Sequence, residues 1–185
     1  AHPPPTRLVR ARGQIYTRPL YLLHPGPPTL HPPIGRRSRA RLESRSDTRI
    51  VIHSEDTGVT VEADDWKELR DRRELRLLSL LVHFFETRGI TLTTSSQSPA
   101  GAGIAGSSAL NVAVCAGLAD WNHTHFEPEA LLQVAMNVEA QAIAVPTGLQ
   151  DYRPALYGGV AALELAGDGA TSVPPAPDFA HLETR

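Results

Sequence analysis

The tightest constraint on the fold is a strand that passes without a linker into a glycine- and serine-rich loop and then into an apolar helix. Ile90-Thr91-Leu92-Thr93-Thr94 has the β-branched content and alternation of a strand. Ser98-Pro99-Ala100-Gly101-Ala102-Gly103-Ile104-Ala105-Gly106-Ser107-Ser108-Ala109 follows. Ala109 to Leu118 is apolar nearly all round, which predicts a helix buried in a sheet-helix core. A strand, loop and helix in this order present backbone N–H groups and the positive end of a helix dipole to an anion. The three glycines let a phosphate approach the backbone, and Ser107 or Ser108 offers a hydroxyl to a phosphate or a cation. A flexible Gly-Ser connection between strand and helix is the structural alternative.

Lysine usage restricts the chemistry of that loop. Among eighteen basic residues the single lysine, Lys67, lies in Trp66-Lys67-Glu68, so no Gly-Lys-Ser/Thr phosphate loop is present. Charge on a bound nucleotide would have to be carried by the helix dipole and a metal. With 185 residues, 41% of them apolar, and a net charge of -2, the chain belongs to the ordinary globular class. No apolar run is long enough to cross a bilayer and the Pro- and Arg-rich start is unlike a signal peptide, so no membrane partner and a cytoplasmic location are expected. The lone Cys115 excludes an internal disulfide framework and a cysteine zinc cluster. Its neighbours Val112, Ala113, Val114 and Ala116 mark it as a buried structural thiol.

Composition divides the chain near residue 47. Residues 1–46 hold nine arginines, nine of the sixteen prolines and one acid, Glu43. They read as an Arg/Pro-rich degraded N-terminal segment: Arg7 to Arg12 alternates weakly as a strand would, and Pro25 to Pro33 cannot be a central strand. An arginine-rich surface is favoured there over a nucleic-acid contact. Residues 47–166 carry the core. Arg49 to His53 and Val59 to Val61 predict a hairpin. One long helix is expected from Asp64 or Asp65 through Phe85, stopped by Gly89. A second helix starts at Pro128, its apolar stripe running through Leu132, Ala135, Met136, Ala142 and Ile143, and Gly158 to Leu165 predicts a glycine-led strand. Residues 167–185 form a small, polar tail.

Two carboxylates stand where polar residues need a reason. Helical spacing sets Glu139 on the apolar stripe, where an unpaired charge would cost several kcal/mol, so a nearby Mg²⁺ is expected, the alternatives being an arginine partner or a stripe edge that reaches water. Asp151, in Thr147-Gly148-Leu149-Gln150-Asp151-Tyr152, is expected in a short loop, either forming a turn or orienting a substrate hydroxyl and taking its proton. His123-Thr124-His125 lacks a third ligand for a metal, and Trp121, Tyr152 and Tyr157 read as packing residues.

The loop Pro99-x-x-x-Gly103-Ile104-Ala105-Gly106-Ser107-Ser108-Ala109 resembles the second motif of the GHMP kinases, named for galactokinase, homoserine kinase, mevalonate kinase and phosphomevalonate kinase. Asn137-Val138-Glu139, Pro146 to Tyr152 and Tyr157-Gly158-Gly159 resemble the family's glutamate and aspartate segments. The resemblance extends from about Leu20 to Leu165 and implies an α+β fold similar to ribosomal protein S5 domain 2, with the family's ferredoxin-like C-terminal domain missing after Arg185. It implies that Pro99, Gly101, Gly103, Ile104, Ala105, Gly106, Ser107 and Ser108 bind ATP, that Ser108 and Glu139 bind Mg²⁺, and that Asp151 is the catalytic base. Pro5-Thr6-Arg7 resembles the start of the first motif and places Arg7 with Asp151 at the substrate, although Val9 and Tyr16 stand where related sugar kinases carry acids. The nearest subgroup resembles heptose 7-phosphate kinase and fucose-type kinases, which implies a sugar or sugar phosphate as small-molecule substrate. The expected function is therefore an ATP-dependent sugar or sugar-phosphate kinase. The alternatives are a truncated or decayed kinase domain that binds nucleotide without turnover and, behind it, a nucleic-acid-binding module.

Overall fold

The computed structural model describes residues 6–14, 29–31, 33–98, 106–145, 147, 149–157, 161–166 and 169–173. Strands β1 (Thr6–Gln14), β3 (Pro33–Ser44), β4 (Ile50–Ser54), β5 (Val59–Ala63) and β6 (Ile90–Ser96) form one sheet in the order β1-β3-β6-β4-β5. Strands β2 (Thr29–His31), β7 (Ala161–Ala166) and β8 (Gly169–Val173) form a second, in the order β2-β7-β8. Helices α1 (Arg76–Phe84), α2 (Gly106–Trp121), α3 (Pro128–Ile143) and α4 (Leu149–Tyr157) complete the α+β arrangement.

Alternation decides which face of the large sheet is dry. Ile50 and Ile52 on β4, Ile90 and Leu92 on β6, and Ala40 and Leu42 on β3 are all fully buried. The parallel register sets Ile50 beside Ile90 and Ile52 beside Leu92, so these pairs stack on one side of the sheet. Helix α2 lies across β1 and β3 on that side, with α3 and α4 against it. Its residues Ala109, Val112, Ala113, Val114, Cys115 and Leu118 are buried around the whole circumference, as the unbroken apolar run predicts.

The hairpin stands where alternation places it, with β4 and β5 joined through a turn at Glu55–Gly58 in which Gly58 takes φ 67°. The long helix expected from residue 64 to 85 is instead two pieces. A 3-10 helix, Trp66–Asp71, is capped by the Asp65 carboxylate on the Lys67 N–H at 3.0 Å. The chain then breaks, with Leu75 in the left-handed region at φ 46°, before α1 begins. Arg76 makes that break tolerable, because its guanidinium donates to the carbonyls of Arg70 and Arg72 that the broken helix leaves free. Gly89 is likewise not the helix stop. It immediately precedes β6 with φ 62°, and a Cβ there would meet the Asp47 carbonyl at 2.9 Å.

The buried stripe of α3 also differs from expectation. Leu131, Leu132, Ala135, Val138 and Glu139 are buried, whereas Ile143, the last residue of α3, is 52% exposed. The composition shift near residue 47 falls between β3 and β4, which both pair with β6, so the sheet runs across it. The expected polar tail contains β8, paired with β7. Leu42→Ala tests whether the arginine-rich strand belongs to the core. It should lower unfolding stability by about 2–5 kcal/mol in urea titration, whereas the exposed Arg73→Gln should change it by less than about 0.5 kcal/mol.

Candidate active site

Strand β6 and helix α2 flank the glycine-rich loop, and the described residues at both of its ends are held together. The Asp56 carboxylate, on the β4–β5 turn, accepts the Ser96 N–H through both oxygens at 2.8 and 2.9 Å. Gln97 donates its N–H to the Arg37 carbonyl at 3.0 Å, and its side-chain oxygen accepts the Arg37 N–H at 2.9 Å. Ser38, buried on β3, bonds the Ser96 hydroxyl at 3.1 Å and donates to the Gly106 carbonyl at 3.3 Å. The two ends approach so closely that a Cβ on Gly106 would stand 2.6 Å from that of Ser98. Of the expected phosphate-loop residues, Gly106, Ser107 and Ser108 occupy the first turn of α2, while Pro99, Gly101, Gly103, Ile104 and Ala105 lie outside the described residues.

Beneath that turn, α2, α3 and α4 bring Ser108, Glu139 and Asp151 together, with 4%, 4% and 8% of their surfaces exposed. The Ser108 hydroxyl donates to Glu139 Oε2 at 3.5 Å, and the Tyr152 hydroxyl donates to the same oxygen. Asn111 Nδ2 donates to the Ala135 carbonyl at 2.7 Å and to Tyr152 Oη at 3.2 Å. Cys115 Sγ donates to Asn111 Oδ1 at 3.3 Å. Glu139 is thus satisfied by hydroxyls where an arginine was one expectation. The nearby Arg153 turns to Glu129 instead, at 3.2 Å, and among the described residues no basic side chain pairs with Glu139 or Asp151.

Asp151 stands in the first turn of α4, not in a loop, because the helix begins two residues before it. Its Oδ1 is buried without a hydrogen-bond partner among the described residues. Burial, and then the neighbouring Glu139 charge, push its carboxyl up to about 7. The same two causes raise the Tyr152 hydroxyl, and burial alone raises the Cys115 thiol. An orphaned carboxylate oxygen beside a second carboxylate and a serine hydroxyl is a donor set that suits a hard divalent cation. Among the described residues no three acidic, histidine or cysteine side chains cluster as metal ligands, so a cation here would complete its shell with phosphate or water oxygens.

Other expected positions sort themselves simply. Arg7 lies on β1 opposite Leu42, its side chain outside the described residues. His125 meets Glu127 at 3.3 Å. Trp121 packs against the core, and Tyr157 is exposed and donates to Glu129 at 3.0 Å. Tyr152 is more than a packing residue, since its hydroxyl holds Glu139. Its signal in the sequence was Asn111, a lone amide inside an apolar helix that had to find a buried partner.

Residues 72–159 match the family model described as the GHMP kinases N terminal domain. Over these residues the chain is similar to a GHMP kinase N-terminal domain. It is 27% identical over 122 residues to a galactokinase of Thermotoga maritima, covering 63% of this chain and 34% of that protein. It is 26% identical over 140 residues to D-glycero-alpha-D-manno-heptose 7-phosphate kinase of Campylobacter jejuni, covering 72% of this chain and 41% of that protein. In fold it is similar to a D-glycero-D-manno-heptose 1-phosphate kinase from Bacteroides thetaiotaomicron, with TM-score 0.81 and 18% identity over 93% of this chain and 60% of the other. The chain spans about a third of the length of the galactokinases it matches.

The raised Asp151 carboxyl has a measurable sign. The folded chain holds this proton more tightly than the unfolded one, so stability contributed here is greatest below about 4, falls as pH rises towards about 7 and then levels off. In EDTA, Asp151→Asn should remove that fall and stabilise the folded chain at pH 8, by up to about 4 kcal/mol. Urea midpoints at pH 5 and pH 8 measure it, and equal pH slopes in the two proteins would count against it.

Proposed function

We propose that this domain binds Mg·ATP and catalyses transfer of the γ-phosphoryl group to a hydroxyl of a sugar or sugar phosphate. The observation that carries the reading is the buried pair Glu139 and Asp151, without a basic partner among the described residues, directly beneath the first turn of α2. The Thermotoga and Campylobacter relatives, a galactokinase and a heptose 7-phosphate kinase, support the substrate class.

In this reading the loop and the N-terminal turn of α2 receive the phosphates, with the helix dipole and backbone N–H groups facing their charge. Ser108 and Glu139 would hold Mg²⁺, which when bound neutralises phosphate charge. Tyr152 keeps Glu139 aimed at Ser108 by fixing one carboxylate oxygen. Asp151 accepts the proton of the attacking hydroxyl as its oxygen bonds to the γ-phosphorus and the bond to the β-phosphate oxygen breaks, releasing ADP. A carboxyl with its proton affinity near neutrality suits that role. Among the described residues no helix is long and apolar enough to cross a membrane, and we assign the protein to the cytoplasm, where ATP is at hand and Cys115 stays reduced.

Calorimetry and a sugar panel with labelled ATP test the proposal. Asp151→Ala should lower transfer by at least about a hundredfold while Mg·ATP still binds. Glu139→Gln should weaken binding of Mg·ATP more than that of ATP in EDTA. Binding without transfer in the unaltered chain would favour the nucleotide-binding alternative, and absence of both would end the proposal.

A further inference from the structure

The inner face of β3 changes character towards the N-terminus of α2. Leu42, Ala40 and Ser38 are buried along it, and the antiparallel register sets them beside Leu92, Thr94 and Ser96 of β6. Directly paired positions share a face, so Ser38 and Ser96 lie side by side where the sheet meets the first turn of α2. One pair along, at Ala40, a methyl group is enough to fill the space. The hydroxyl of Ser38, a residue only 1% exposed, therefore needs a polar partner.

Donor counting gives its bonds a single direction. A carbonyl only accepts, so the one Ser38 proton goes to the Gly106 carbonyl at 3.3 Å. The bond between the Ser38 and Ser96 hydroxyls, at 3.1 Å, must then be donated by Ser96. Ser96 Oγ in turn accepts the Ser98 N–H at 3.2 Å. The chain of bonds runs from the Ser98 N–H through Ser96 and Ser38 to the Gly106 carbonyl. Each hydroxyl in it both accepts and donates, which strengthens the bonds on either side. Its origin is anchored, because the Asp56 carboxylate holds the Ser96 N–H.

The last bond acts through the planarity of the peptide. In a trans peptide the carbonyl and the N–H of the following residue point in opposite directions. A hydroxyl that fixes the Gly106 carbonyl thereby fixes the aim of the Ser107 N–H, and Ser107 is exposed in the first turn of α2. Accepting a hydrogen bond also polarises that peptide and makes its N–H a better donor. We propose that Ser38 is a positioning residue for phosphate: through the Gly106 peptide it aims the Ser107 N–H and holds the first turn of α2 to the end of β6. The inference rests on the reading of that turn as the seat of the nucleotide phosphates.

Calorimetry with tripolyphosphate and with ATP, both in EDTA, tests it on the whole chain without a metal. Ser38→Ala should weaken binding of both about tenfold, the effect of one lost or misaimed bond to a charged group. Ser96→Ala leaves the bond from Ser38 to Gly106 in place and should weaken binding by less. The double variant should bind no more weakly than Ser38→Ala, because Ser96 acts through Ser38. Urea midpoints separate this from a merely structural role. A Ser38→Ala chain with a lowered midpoint but unchanged affinity overturns the proposal, as does a double variant in which the two losses add. In both cases the unaltered chain still binds and the kinase reading stands. An unaltered chain that binds neither tripolyphosphate nor ATP ends the phosphate site and this role for Ser38 together.

Discussion

Two carboxylates buried side by side, with no basic partner among the described residues, set the terms for everything around them. Removing Glu139 and Asp151 from water costs several kcal/mol unless each finds hydrogen bonds or opposite charge. Glu139 finds two hydroxyls, from Ser108 and Tyr152, and Tyr152 is steadied in turn by Asn111. Asp151 Oδ1 has no hydrogen-bond partner among the described residues, and burial raises the carboxyl to about 7. Both responses depend on α2 being apolar around its circumference, because it packs on the sheet with one side and on α3 and α4 with the other, which keeps the dielectric low.

The order of the sheet explains why the site forms where it does. Strand β6 is central, with β3 on one side and β4 on the other. Each neighbour contributes a fastening to the place where β6 becomes the loop: Asp56 from the β4–β5 turn, Arg37 and Ser38 from β3. Ser38 also reaches Gly106, so β3 touches both ends of the loop. A segment whose composition suggested an appendage is, through β3, the strand that braces the site.

Much of this was legible before any coordinates. The β4–β5 hairpin, strand β6 and helix α2 follow from alternation and from an uninterrupted apolar run, and Glu139 declared itself as a charge on an apolar stripe. The misreadings have physical causes. The 64–85 segment has helical periodicity, but Leu69 and the Leu78 to Val82 group must meet different parts of the core, and Arg76 lets the chain bend between them by capturing free carbonyls. Asp151 looked like a loop residue because it lies between Pro146 and a glycine-led strand, whereas α4 begins at Leu149 and tolerates Pro154 within its turns. Asp56 gave no signal, since a turn aspartate satisfies local chemistry in any hairpin and its bond to Ser96 spans forty residues. The serine contacts around Gly106 were hidden for the same reason: they are set by strand order, which periodicity does not report.

Cys115 ends the chain of contacts that starts at Glu139, passing through Tyr152 and Asn111. It is the chain's single thiol and is fully buried. Its chemistry is therefore that of a sealed gauge. So long as the packing around α2 holds, the sulfur is out of reach of reagents in solution. The rate at which this one sulfur can be alkylated therefore becomes a clock for loosening of the packing around α2, with no probe introduced among the carboxylates themselves.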